Sequence, residues 1–100
     1  MSQFITQNKR RKVVLGVDRR LEHTFVQVWS LVSHNVILNE TASATVDGGT
    51  LMLQVAATYC KVPADMRNRF FADIGRVEGG DINQISVYTP GVALPEVHQV

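Results

Sequence analysis

The stretch Thr24-Phe25-Val26-Gln27-Val28-Trp29-Ser30-Leu31 constrains this chain more than any other. It is rich in β-branched and aromatic side chains, with charge before it and turn-forming residues after it, which is the make-up of a strand. At a period of two, Phe25, Trp29 and Leu31 share one face and Val26 and Val28 the other, so both faces are apolar. Such a strand belongs at the centre of a sheet. It needs strands on either side and a helical layer above.

The rest of the chain supplies both. Val13–Val17 is a short apolar run and a first strand, in which Gly16 marks a bulge or a close approach by another backbone. Asp18–Glu22 is a short charged link, so the first two strands form a hairpin. Ser33-His34-Asn35 is a tight turn, with Asn35 suited to positive φ, and Val36–Thr41 returns as a third antiparallel strand. Its continuation into Ala42–Val46 stays open. Ahead of the first strand, Met1–Asn8 has only Phe4 and Ile5 to pack, and residues 1–11 are expected to be a flexible basic arm.

Two helices follow. Asp47-Gly48-Gly49-Thr50 opens the first, with either Asp47 or Thr50 as cap, and Leu51 to Tyr59 or Lys61 is apolar nearly all round. Val62-Pro63 breaks it, Pro63 suits the first position of the second helix, and Asp65 favours that helix's positive end. There Met66, Phe70, Ile74 and Val77 form one apolar stripe, while Phe71, one position off it, either widens the buried face or is a contact residue. Gly79-Gly80 ends the helix, Asp81–Gln84 is a loop, and Ile85–Thr89 is a late edge strand or an extended tail. Pro90-Gly91 and Pro95 leave residues 90–100 as a flexible tail. The expected fold is α+β: a three-stranded antiparallel meander with room for a fourth, late edge strand, and two helices packed on one face, as a single domain over residues 12–89.

A chain of 100 residues, 45% hydrophobic and 19% charged, buries about two-thirds of its unfolded surface and has one core. Folding needs no metal, cofactor or disulfide, since Cys60 is the single cysteine. No secretory apolar region and no run of about 18 apolar residues is present, so a soluble cytoplasmic protein without a membrane partner is expected. The net charge of +1 hides an asymmetry. Residues 1–20 carry six cations against Asp18, a balance of +5, and residues 21–100 carry four against eight acids, a balance of −4.

The polar features each have a functional and a structural reading. Lys9, Arg10, Arg11 and Lys12, with Arg19 and Arg20, suit phosphate contacts on nucleic acid, yet a solvated strand start explains the run without a reading motif. Asp18, Glu22 and His23 suit acid/base or metal chemistry, although hairpin links hold such residues as local ion pairs and the spacing fits no ligand motif. Cys60 with His23, His34 or His98 would need spatial contact to form a dyad, and a thiol in an apolar helix is usually inert. Asp47-Gly48-Gly49-Thr50 lacks the lysine and spacing of a nucleotide loop. Trp29, Phe70, Phe71 and Tyr59 are core residues or a partner surface. A two-layer domain leaves its outer sheet face short of cover, and Val26 and Val28 there, with Phe71, make an interaction surface and a homodimer the expectation.

The segment Leu15-Gly16-Val17-Asp18-Arg19-Arg20-Leu21-Glu22-His23-Thr24-Phe25 resembles the opening of short bacterial proteins of unassigned function, in which a glycine-hydrophobic-Asp-Arg-x-Leu loop joins a strand to an aromatic-rich strand. The resemblance covers about the first third of the chain and implies no activity. The leading expectation is a non-enzymatic binding or regulatory module with a protein partner, encoded by a bacterium or mobile element. Nucleic-acid binding through the basic arm is the second reading, and a small enzyme with a His/carboxylate site the third.

Overall fold

The computed structural model describes residues 2–78, 84–88 and 96–99. In chain order these form β1 (Ser2–Gln7), β2 (Arg11–Asp18), β3 (His23–Ser30), β4 (Val36–Ser43), α1 (Val46–Tyr59), α2 (Ala64–Glu78), β5 (Gln84–Tyr88) and β6 (Glu96–Gln99). The sheet runs β4-β3-β2-β1-β5-β6. Strands β1 to β4 are an antiparallel meander, β5 lies parallel to β1, and β6 is antiparallel to β5. Both helices cover one face, α1 over β2, β3 and β4 and α2 over β1 and β2. The fold is α+β, as the sequence predicts.

Strand register explains where the core lies. One row joins Phe4, Leu15 and Val26 across three strands, and the next joins Thr6, Val13, Val28 and Leu38. Apart from half-buried Leu38 these residues are buried, and Met52 and Ala56 of α1 with Met66, Phe70 and Ile74 of α2 close over them. Phe4 meets Phe70 edge to face, with ring centroids 6.1 Å apart.

Several expectations change. The terminus read as part of a flexible arm is β1, held in register from Ser2↔Val17 to Gln7↔Lys12, and its Phe4 is wholly buried. Burying that ring is worth roughly 1.5–3 kcal/mol, which a loose arm would forgo. Helix α1 starts at Val46 with Thr45 as cap, its hydroxyl accepting from Gly48 N at 3.1 Å, so neither Asp47 nor Thr50 caps it. The carbonyl of Pro63 accepts from Arg67 N at 3.0 Å, and α2 begins one residue later, at Ala64. In the β3–β4 turn the positive φ falls on His34, at 61°, rather than on Asn35, whose carbonyl accepts from Ser30 N at 2.9 Å. Ile85–Tyr88 does form a strand, but it sits inside the sheet with β6 beyond it, and β6 falls within the residues expected to be a tail. Gly79-Gly80, Asp81–Asn83, Thr89, Pro90-Gly91 and Pro95 lie outside the described residues.

The largest correction concerns the faces of β3. Val26 and Val28, expected on the uncovered side, are wholly buried beneath the helices. Register aligns them with Val13, Leu15 and Phe4, and that aliphatic surface is what the helices cover. Phe71 also faces inward, against Gly49 and 5.4 Å from the Phe70 ring, so it widens the buried stripe. These three residues are therefore packing residues.

Candidate functional site

The sheet face opposite the helices is built by the alternate residues of the same strands. Its rows are Gln7, Lys12, Trp29 and Val36, then Ile5, Val14, Gln27 and Asn39, then Gln3, Gly16, Phe25 and Thr41, and last Asp18, His23 and Ser43. Phe25 and Trp29, which the periodicity places together, are half-buried here. At the Trp29 end, Lys12 Nζ stands 4.9 Å from the indole centroid. The register shifts between Val28 and Trp29, where β4 carries Ile37 as an extra residue, and Val36 and Ile37 are exposed, at 42% and 46%.

Gly16 shapes the middle of this face. A Cβ there would lie 2.3 Å from Cζ of Phe25 and 2.4 Å from the Ser2 carbonyl, so the missing side chain is what allows the ring to lie across β2. Toward the β2–β3 link the surface sinks into a depression of about 390 Å³. Cross-strand pairs make its floor, Gln27 with Asn39 and Phe25 with Thr41, while Asp18 with its partner His23, Gln3 and the link residue Leu21 complete the lining. Asp18 Oδ1 accepts from Arg20 N at 3.2 Å and Leu21 N at 3.3 Å, which fixes the carboxylate and the link together.

The six cations of the nucleic-acid reading do not form one patch. Lys9 and Arg10 are exposed at the β1–β2 turn, where Asn8 Oδ1 accepts from Arg10 N and Arg11 N at 2.8 Å, and Lys12 stands on Trp29. Arg20 is exposed at the opposite end of β2. Arg19 is buried, donating to Ser2 Oγ at 3.1 Å and lying 3.5 Å from Asp73 of α2. Of the catalytic candidates, Asp18 and His23 meet in the depression, whereas Glu22 is an exposed turn residue at φ 56°.

Cys60 is buried at the end of α1, its thiol donating to the Arg11 carbonyl at 3.6 Å. Burial raises its pKa, and a backbone hydrogen bond from Asn8 and the charge of Arg11 offset that only in part. It behaves as a core residue. Gly48 and Gly49 form no phosphate cradle: the Gly48 amide is bound by Thr45, and both positions are crowded, by the Ser43 carbonyl and by Ile74. Among the described residues, no group of three or more His, Cys, Asp and Glu side chains could hold a metal, and no helix is long and apolar enough to cross a membrane.

Sequence reasoning missed Gln3, Ile5, Gln27, Asn39 and Thr41 as members of one surface. Gly16, read as a site of close approach, was the signal pointing to it. Comparison with protein-family models, curated proteins and solved structures found no match.

Proposed function

We propose that the protein is a non-enzymatic binding module that acts through protein–protein contacts, with a second copy of itself as the first partner. The observation that supports this reading is the sheet face that no described helix covers, on which half-buried Trp29 adjoins the exposed Val36 and Ile37. A two-fold face-to-face arrangement suits its charges, because Lys12 and Asp18 stand at opposite ends of β2 and each meets the other's counterpart. β1, of six residues, and β2, β3 and β4, of eight each, present a projected area of roughly 500 Å². That falls short of the ~800 Å² per partner of a standard stable interface, so the association is a transient one. A small cytoplasmic regulator or inhibitor of bacterial or mobile-element origin fits this mode of action.

Light scattering over a concentration series tests it. A monomer–dimer equilibrium at micromolar protein, weakened by salt and by Trp29→Gln, is the expected outcome. A monomer at every concentration overturns self-association. The exposed cations of the β1–β2 turn beside Trp29 support the second reading, and a salt-sensitive complex with a short mixed-sequence duplex would put nucleic acid in the place of the protein partner.

A further inference from the structure

The depression at the Asp18 end lies apart from Trp29 and has a chemistry of its own. Its volume, about 390 Å³, falls within the ~300–1,000 Å³ of small-molecule sites. One aromatic ring, Phe25, lies in the floor, and exposed Leu21, at 63%, forms a wall. Around them stand the amides of Gln3, Gln27 and Asn39, the His23 imidazole, the Thr41 hydroxyl and the Asp18 carboxylate.

These groups narrow the ligand class. Among the described lining residues there is no lysine or arginine, and Asp18 repels a phosphate or carboxylate. Amides and a hydroxyl both donate and accept, so the complement is a ligand whose rim does the same on several sides. The ring and the leucine call for one apolar face. Asp18 is already fixed by the Arg20 and Leu21 amides, and the Phe25 ring by its seat over Gly16, so little ordering is required on binding.

From this geometry we infer that the depression binds a neutral, hydroxyl-rich ring of monosaccharide chemistry, its C–H face on Phe25 and its hydroxyls on Gln27, Asn39, Thr41 and Asp18. Such a ligand goes beyond the proposed self-association and competes with the second copy for this face, since Asp18, Phe25, Gln27 and Thr41 belong to both.

Titrating glucose, galactose and N-acetylglucosamine into ¹⁵N-labelled protein tests this, with adenosine and inorganic phosphate as competing probes. At least one sugar is expected to move the side-chain amide signals of Gln27 and Asn39 saturably. Asn39→Ala and Thr41→Val, both on an exposed strand, should each weaken binding about two- to tenfold, the range for one lost hydrogen bond, with an otherwise unchanged amide spectrum. Trp29→Gln should weaken self-association while sugar binding is kept or tightens, because the second copy no longer competes for the face, and sugar binding lost together with self-association would overturn a separate site. No saturable change with any of the three sugars, changes confined to other parts of the protein, or binding of adenosine or phosphate alone would overturn the inference.

Discussion

The most consequential single residue outside the sheet's open face is Asp73. Its Oδ1 lies 3.5 Å from Arg19 Nη2 and 2.6 Å from Arg76 Nη1, with Arg19 and Asp73 both buried. Among the described residues, Nε and Nη1 of Arg19 and Oδ2 of Asp73 find no hydrogen-bond partner, so the pair is incompletely compensated. Such a pair adds little net stability, yet breaking one side strands a buried charge. Asp73→Ala should therefore cost about 3–5 kcal/mol in urea unfolding, and adding Arg19→Met should recover most of the loss. A loss that the double variant does not recover would mean that Asp73 acts through packing. Cys60 gives a pH prediction. Its folded pKa is raised above the ordinary 9.0, so the folded state holds the proton more tightly than the unfolded one. The associated stability is complete below about pH 9 and declines as pH rises through the folded value. In denaturation across alkaline pH, Cys60→Ala should remove that part of the decline, and in the native protein a thiol reagent should react slowly.

At the scale of elements, glycines in helices show when packing outweighs propensity. Alanine in place of glycine ordinarily stabilises a helix by about 0.5–1 kcal/mol. At Gly75 a Cβ would meet no atom within 4 Å, so Gly75→Ala should show that gain as a higher melting temperature. At Gly48 a Cβ would fall 2.0 Å from the Ser43 carbonyl, a backbone atom that cannot swing aside, and Gly48→Ala should destabilise instead. The same helix start depends on Thr45. Thr45→Ala removes the acceptor for Gly48 N and should cost about 1 kcal/mol, whereas Thr45→Ser should cost much less. Opposite signs for the two glycine variants in one thermal series would establish the close contact of α1 with the end of β4. Equal signs would contradict it.

At the scale of the molecule, β1 is the seam between the meander and the late strands, pairing with β2 on one side and β5 on the other. Deleting residues 2–7 should abolish cooperative unfolding, because it removes Phe4 from the core and leaves β2 as an edge. Deletion of a flexible arm would leave the unfolding transition in place. The sequence by itself determined β3, the 34-region turn, the α2 stripe and the α+β class, because hydrophobic period and turn chemistry are properties of short segments. Strand β1 escaped it, since Ser2-Gln3-Phe4-Ile5-Thr6-Gln7 carries one strong core residue and gains its order only by pairing. The candidate surface was half legible: Phe25 and Trp29 showed as one face, but the reading that left Val26 and Val28 uncovered took the wrong face as the open one. Only the tertiary structure decided which face is covered. The choice rests on register across β1, β2 and β3 and on Gly16 admitting the Phe25 ring, through-space matches between segments that no segment encodes alone.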